Sequence, residues 1–285
     1  MTIVADSGST KTTWVEVESG NNVVTEGLNP HFTTDEQYFA ACRQVSEHFS
    51  LFTFHFSLYF YGAGCGNATQ RKRVKTLLQK AFNIEDVEVE TDMLGACRAV
   101  SDGKTSIVGI LGTGSNACFY DGESIKCQPV STGYVMGDNG SANHVGRILL
   151  NDYLTQRMPE EVRRMFHDTY RMSNAQLMEA VYHRPNPNRF LASLAPFAVH
   201  HAENEYCDGT IREALYDWSM GPLTTLRQRT CYQEGELNVV GGFAKAIELQ
   251  LRDFFIDDSL TVGTVVADPI DGIRAYHADR LGTRK

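Results

Sequence analysis

The turn that joins two apolar segments near the start of the chain carries residues able to bind phosphate and a metal ion. Apolar residues 3–5 precede it and alternating residues 14–17 follow it, which is typical of strand, turn, strand. Backbone N–H groups of a glycine turn form a concave anion site, and hydroxyl side chains add donors. At the strand end, the Asp6 carboxylate can hold a hydrated Mg²⁺. We expect phosphate oxygens to be bound by Gly8, Ser9, Thr10 and Lys11.

A second glycine-rich turn, Gly112-Thr113-Gly114-Ser115-Asn116, also lies between apolar segments. When Gly8 is placed over Gly114, the offset is 106 residues, and each turn opens a run of three predicted strands. This indicates an internal duplication of architecture. Thr113, Gly114 and Ser115 would then hold phosphate from the other side of a clamp. Neither turn is a P-loop, because the order Gly-Lys-Ser/Thr is missing and a strand follows; a polar hairpin is the alternative interpretation.

Three further segments contain candidate site residues. Asp92 follows a short predicted strand and starts a helix, where a carboxylate can act as a general base or simply cap the helix. Residues 133–141 predict a structured loop in which Asp138 can pair with sugar hydroxyls, or which only caps the next helix. Gly241-Gly242 joins a strand to a predicted helix, residues 243–255, and either lets a flat ring approach the backbone or forms a simple turn.

Two α/β halves must position these segments. Residues 1–100 predict the element order βββαβαβα, and the strand pattern restarts at residue 105. Residues 141–232 predict helices separated by short breaks, before strand, helix, strand and a terminal helix. We expect a first domain at 1–104 and a second at 105–285, with a helical insertion in the second and its terminal helix packing back on the first.

The composition limits the partners and the compartment. The 285-residue chain has a net charge of −9, which argues against nonspecific binding to nucleic acid or anionic membranes. The N-terminus lacks the basic region of a signal peptide and the most apolar window is too short to span a bilayer, so we expect a cytoplasmic protein. Scattered cysteines without a CxxC predict reduced, mostly buried thiols: Cys42, Cys65, Cys97, Cys118, Cys127, Cys207 and Cys231.

In this order, the motifs resemble those of the sugar kinase/Hsp70/actin superfamily. Over essentially its whole length the chain is similar to the BadF-type ATPase group that contains N-acetylglucosamine kinase. Residues 6–12, Asp-Ser-Gly-Ser-Thr-Lys-Thr, match the first phosphate motif, and residues 112–116 match the second. Gly241 and Gly242, with Ala244, match the adenosine motif.

The resemblance implies an α/β fold of two ribonuclease H-like (actin-like ATPase) domains with a nucleotide cleft between them. It implies ATP-dependent phosphorylation of an amino sugar, N-acetylglucosamine at its 6-hydroxyl, with ATP and Mg²⁺ as cofactors. Asp92 falls at the catalytic aspartate and would take the hydroxyl proton. Asn29, Asn116 and Asp138 would orient the sugar. Neither nucleic acid nor membrane is an expected partner, and the sequence leaves the oligomeric state, including a homodimer, open.

Two departures from the family pattern keep other functions open. Asn139 replaces the usual acid after Asp138, which removes a charge near the sugar and leaves the substrate open. Phe243 stands where the adenosine motif usually has a small residue. One alternative is an ATPase that activates a partner enzyme, as in activators of radical dehydratases, although no cysteine pair has the spacing of an iron–sulfur cluster. Another is a sugar or nucleotide sensor without catalysis, which Asn139 favours.

Overall fold

The computed structural model describes residues 1–8, 10–51, 55–230 and 232–282. The predicted phosphate ligand Ser9 and the thiol of Cys231 lie outside the described residues. The chain divides into two compact units, one of residues 1–104 with 268–285 and one of residues 105–267. Each unit contains one five-stranded sheet.

The first unit contains the strands β1 (Thr2–Ser7), β2 (Lys11–Glu16), β3 (Asn22–Glu26), β4 (Ser57–Gly62) and β5 (Val87–Thr91). They form a sheet in the order β3-β2-β1-β4-β5. The first three strands are an antiparallel meander, whereas β4 runs parallel to both β1 and β5. The carboxyl ends of β1, β4 and β5 therefore meet at one edge of the sheet, where side chains from all three can form a site.

Helices cover both faces of this first sheet: α1 (Asp35–Phe49), α2 (Ala68–Phe82), α3 (Asp92–Val100) and a terminal helix (Ile270–Gly282). Successive residues of β1 alternate between the two faces, as the pleat of a strand requires. Ile3 and Ala5 share a buried cluster with α1 and α2, whereas Val4 packs with Ile273 of the terminal helix. Trp14 is fully buried in the first of these clusters, and its indole N–H donates to Thr25 Oγ1 at 3.0 Å.

The second unit contains the strands β6 (Ser106–Leu111), β7 (Ser115–Tyr120), β8 (Ile125–Cys127), β9 (Gly235–Val240) and β10 (Leu260–Val266). Their order, β10-β9-β6-β7-β8, is again a three-stranded meander followed by two parallel strands. The predicted duplication of architecture is confirmed. Ser7 pairs with Thr12 across the first turn and Leu111 with Ser115 across the second. The first turn is thus one residue longer, and the equivalent strand ends, Ser7 and Leu111, lie 104 residues apart rather than 106.

The helices of the second unit are α4 (Gly133–Met136), α5 (Ala142–Leu154), α6 (Glu160–Tyr170), α7 (Asn174–Tyr182), α8 (Pro187–Ala192), α9 (Ala195–His200), α10 (Glu205–Trp218), α11 (Thr224–Thr230), α12 (Gly242–Ala246) and α13 (Glu248–Phe254). A π-helical turn containing Pro222 joins α10 to α11, since proline has no N–H with which to continue an α-helix. Two predictions were wrong in detail: residues 243–255 form two helices instead of one, and the loop at 133–141 contains α4. Trp218, at the end of α10, is fully buried.

The described cysteines are all free, and all but Cys127 are buried, which confirms the prediction for the thiols within the described residues. Within the described residues, no helix combines the length and the apolar character that crossing a bilayer requires.

Candidate active site

Several polar groups of the first glycine turn form hydrogen bonds with each other. The Gly8 N–H donates to the Lys11 carbonyl oxygen at 3.0 Å and closes the turn. The buried hydroxyls of Ser7 and Thr12 lie 2.8 Å apart and bond to each other. Of the described phosphate ligands predicted in this turn, Thr10 and Lys11 are exposed, whereas Gly8 is half-buried.

The Lys11 ammonium group is paired with a carboxylate that the sequence did not reveal. Its Nζ lies 2.5 Å from Asp268 Oδ2, and the other oxygen of Asp268 accepts the Ile270 N–H at the start of the terminal helix. Asp268 lies two residues after the end of the last strand and precedes a proline, a place where an acid often caps a helix. That local signal marks Asp268 as a capping residue and does not indicate its pairing with Lys11.

Asp6 is the penultimate residue of β1, opposite Tyr61 of β4 at the carboxyl edge of the sheet. The pKa of its carboxyl is raised to about 8, most by burial and then by the charges of Asp268 and Asp92, while the charge of Lys11 opposes the rise. An excess of negative charge at one sheet edge is the electrostatic condition that favours a cation.

The donor set at this edge fits a magnesium ion held mainly by other ligands. Mg²⁺ in phosphate-transfer sites is usually bound through one or two carboxylates, waters and the phosphates themselves. Asp6 can supply one such carboxylate, and a cation beside it would relieve the repulsion that raises its pKa. In the part of the chain that the structure describes, no group of three or more His, Cys, Asp or Glu is placed to hold a metal ion.

Asp92 is the first residue of α3, directly after β5, but it is not the residue that caps the helix. The hydroxyl of Thr91 accepts the Leu94 N–H, and this is the capping bond. One oxygen of Asp92 accepts the Met93 N–H at 2.9 Å. Burial raises the pKa of the Asp92 carboxyl, and backbone N–H groups at the start of the helix oppose this. A half-buried carboxylate with a raised pKa is suited to accept a proton.

The strand register places Asp92 close to Asp6. Ser7, Gly62 and Thr91 occupy one row across β1, β4 and β5. Because neighbouring strands are about 4.8 Å apart, the backbones of β1 and β5 are separated by about 10 Å at this row. That spacing agrees with the influence of the Asp92 charge on the pKa of Asp6.

Asn29 reaches the same end of the first sheet. It is buried, and its side-chain oxygen accepts the His31 N–H at 3.0 Å. A Cβ on Gly64 would lie 2.4 Å from that oxygen, so the loop after β4 packs directly on Asn29. In the same loop, burial raises the pKa of the Cys65 thiol, and the charge of the nearby Asp92 carboxylate raises it further. The first unit thus brings together Asn29 and the carboxylates.

In the second unit, Asp138 is tied to the second glycine turn. Its Oδ1 accepts the Ser115 N–H at 3.2 Å, and its Oδ2 accepts from the Asn143 amide at 3.1 Å. A Cβ on Gly114 would meet the Asp138 carboxylate at 2.8 Å, so the glycine permits this approach. Burial raises the pKa of Asp138, while the Ser115 and Asn143 bonds and the Arg147 charge oppose it.

The remaining residues of the second turn are half-buried, and some of their polar atoms already form hydrogen bonds. The Ser115 hydroxyl donates to the Asn139 carbonyl oxygen at 2.7 Å, so Asn139 supports the turn through its backbone. The Thr113 carbonyl oxygen accepts two hydrogen bonds from Asn143. Asn116, at the start of β7, accepts the Ala117 N–H with its side-chain oxygen and is half-buried.

The two glycines of the predicted adenosine motif have different surroundings. A Cβ on Gly241 would lie 2.2 Å from the Leu111 carbonyl oxygen, so this glycine is required by the backbone of β6. A Cβ on Gly242 would meet nothing within 4 Å, so this glycine borders open space. Ala244 is fully buried, and Phe243 is nearly so; both belong to the hydrophobic core of the second unit.

No protein-family model and no curated protein matches this sequence. Solved structures do match it. A candidate N-acetylglucosamine kinase from Porphyromonas gingivalis is 31% identical, with 98% of this chain and 99% of that chain covered and a TM-score of 0.89. A candidate N-acetylglucosamine kinase from Chromobacterium violaceum is 18% identical, with 96% and 98% covered and a TM-score of 0.71. A ROK family glucokinase from Streptomyces griseus, solved with glucose and AMPPNP, is 15% identical, with 96% and 97% covered and a TM-score of 0.55. The last two matches show the fold alone, and with the two sheets they confirm the predicted fold class.

Proposed function

The chain belongs to the family of N-acetylglucosamine kinase-like proteins within the sugar kinase/Hsp70/actin superfamily, and we propose that it phosphorylates an amino sugar with ATP. The proposed acceptor is the 6-hydroxyl of N-acetylglucosamine. Membership of the BadF-type group, a cytoplasmic location and a homodimer remain predictions. The observation that carries the proposal is the Asp92 carboxylate: Thr91 caps α3, so Asp92 remains available for chemistry.

In the proposed reaction, Asp92 accepts the proton of the sugar hydroxyl. The hydroxyl oxygen attacks the terminal phosphorus of ATP, and ADP leaves. A raised pKa supports this role, because a stronger base takes the proton more readily. Phosphoryl transfer otherwise depends on positioning and on electrostatic stabilisation. We assign the nucleotide phosphates to Thr10 and Lys11 of the first turn and Thr113 and Gly114 of the second, with Ser9 a further proposed ligand.

The metal and the adenosine would be held by residues already described. Mg²⁺ bound to Asp6, the phosphates and water would neutralise the charge of the phosphoryl oxygens. Open space beside Gly242 supports the approach of the adenine ring at that residue. Gly241 and Ala244 would act indirectly, by fixing the backbone and the helix behind the ring.

Asn29, Asn116 and Asp138 are proposed to bind the sugar. Asn29 is supported by its position beside the loop that carries Cys65, close to Asp92. Asp138 is supported by its rigid placement between two donors, although these bonds already use one lone pair on each oxygen. Each oxygen retains a lone pair that a sugar hydroxyl can approach.

A coupled ADP assay over a panel of hexoses and N-acetylhexosamines tests this proposal. We expect N-acetylglucosamine to give the highest kcat/KM. Asp92→Asn should lower kcat by about 10²- to 10⁴-fold while ATP still binds, since one proton transfer is lost. Asp35→Asn is the matched control, because Asp35 is also the first helical residue after a capping threonine but lies exposed on α1.

A near wild-type rate for Asp92→Asn would remove Asp92 as the base. If no sugar stimulates ADP release by the wild-type protein, the kinase proposal itself fails. Iron in the purified protein would instead favour the activator of a partner enzyme, and sugar binding without turnover would favour a sensor.

A further inference from the structure

Asn143, in the first turn of α5, is a fully buried asparagine to which the proposed reaction assigns no role. Its side-chain Nδ2 donates to the Thr113 carbonyl oxygen at 2.8 Å and to Asp138 Oδ2 at 3.1 Å. Its backbone N–H donates to the same Thr113 oxygen at 3.1 Å. One residue therefore joins a carbonyl group of the second glycine turn to the carboxylate that is proposed to bind the sugar.

The two acceptors fix the orientation of the Asn143 side-chain amide. If the amide were turned over, Oδ1 would face the Thr113 carbonyl oxygen and the Asp138 carboxylate, which have no proton to donate while Asp138 is ionised. In the observed orientation, the buried Oδ1 has no hydrogen-bond partner among the described residues. A buried acceptor without a partner is unfavourable for folding. What this side chain contributes is therefore its two donated bonds.

The bonds to Thr113 determine where the N–H of Gly114 points. A peptide unit is planar and, as throughout the described residues, trans, so its N–H and C=O groups point in opposite directions. Because the Thr113 carbonyl group is directed at the start of α5, the Gly114 N–H of the same peptide unit points away from Asn143. Two donors on the carbonyl oxygen also polarise the peptide unit, which makes this N–H a stronger donor for a phosphate oxygen.

Asp138 requires support because its backbone conformation is unusual. Its φ is +54°, in the left-handed region that residues other than glycine rarely adopt. The Ser115 N–H and the Asn143 amide each hold one of its carboxylate oxygens. Burial raises the pKa of Asp138, and the hydrogen bond from Asn143 is among the contacts that oppose this rise and favour the charged form. A charged carboxylate forms a stronger hydrogen bond with a sugar hydroxyl than a neutral carboxyl group does.

We propose that Asn143 is a positioning residue that holds the phosphate-binding turn and the sugar-binding carboxylate together as one unit. This inference rests on the proposed function, in which Gly114 binds a phosphate oxygen of ATP and Asp138 binds the sugar. Because Asn143 is fully buried, it acts through these two residues and not by contact with either ligand. The proposed base, Asp92, belongs to the first unit and does not depend on Asn143.

Steady-state kinetics of the Asn143→Ala protein in the coupled ADP assay test this role. We expect the KM values for ATP and for N-acetylglucosamine each to rise about five- to thirty-fold, since each binding group loses a hydrogen bond that positions it. The kcat should fall by no more than about three-fold, because an interaction made equally in the ground state and the transition state changes KM alone. Asp92→Asn should show the opposite pattern, with kcat reduced.

Asn238→Ala is the matched control, because Asn238 is also a buried asparagine with one bonded and one unbonded atom. It lies on β9 of the same unit; its Oδ1 accepts the Thr264 N–H at 2.7 Å, and its Nδ2 has no partner among the described residues. The control should lose stability in urea, since the Thr264 N–H loses its acceptor, and should keep both KM values within about two-fold of those of the wild type.

If Asn143→Ala retains both wild-type KM values, or if Asn238→Ala raises them equally, the positioning role is overturned and the kinase proposal stands. If the wild-type protein phosphorylates no sugar, the kinase proposal fails and this inference fails with it. Should Asn143→Ala fail to fold, the side-chain amide protons of Asn143 in the ¹⁵N-labelled wild type decide. The ATP analogue AMPPNP should shift the proton that faces Thr113, and N-acetylglucosamine the one that faces Asp138; no shift with either ligand overturns the proposal.

Discussion

Replacing Gly241 by alanine should destabilise the second unit strongly. Gly241 has φ of +134°, which side chains other than hydrogen rarely permit, and the new Cβ would lie 2.2 Å from the Leu111 carbonyl oxygen. The backbone conformation alone costs about 1–3 kcal/mol. Overpacking against a backbone atom that cannot rotate away adds about 1–3 kcal/mol. We therefore expect the free energy of unfolding to fall by about 3 kcal/mol or more.

Gly242→Ala is the matched control, since its Cβ would meet nothing within 4 Å. As Gly242 begins α12, alanine there should leave the free energy of unfolding unchanged or raise it by about 0.5 kcal/mol. The same variant should raise the KM for ATP if the adenine ring passes over Gly242. Urea unfolding of both variants, with the ADP assay on Gly242→Ala, measures these effects. Equal stabilities of the two variants would refute the argument from the Leu111 contact.

Two further predictions concern the loop and helix beside the second turn. Asp138→Asn should lower the free energy of unfolding by about 1.5–3 kcal/mol in urea, because its new NH₂ must face one of two donors, the Ser115 N–H or the Asn143 amide; unchanged stability would contradict this pairing. Burial lowers the pKa of His144 to about 4, so it stays neutral when folded and gains a proton on unfolding below its ordinary pKa near 6.5. The free energy of unfolding should therefore be highest near pH 7 and fall as the pH is lowered towards 4. Between pH 7 and pH 5 this one group should lower it by about 2 kcal/mol. In urea unfolding at these two pH values, the His144→Gln protein should not show this decrease in the free energy of unfolding. If its pH dependence equals that of the wild type, His144 is not the group responsible.

Local patterns were sufficient to predict the turns and the class of fold. A glycine turn between two apolar alternating segments is a short-range signal, and its recurrence in the second half predicted the matching sheets. Asp92 was harder to interpret, because threonine and aspartate are both good capping residues and stand side by side at 91 and 92. Only the hydrogen bond from Leu94 shows which of them caps α3.

What the sequence could not predict depends on contacts between distant residues. Asp268 is 257 residues from Lys11, and no spacing rule connects an acid after the last strand with a lysine in the first turn. The hydrogen bond between Tyr61 and His277, which are 216 residues apart, could not be predicted for the same reason. The π-helical turn at Pro222 is a different case: the proline is visible in the sequence, but a proline alone does not distinguish such a turn from the end of a helix.

Each unit contains one of the two tryptophans, and both are fully buried. Trp14 lies in the core of the first unit and Trp218 in that of the second. The protein therefore has a separate intrinsic fluorophore for each half. A Trp218→Phe protein would report through Trp14 alone, and a Trp14→Phe protein through Trp218 alone. Emission from these two proteins during denaturation would reveal whether the duplicated halves lose their structure together or one after the other.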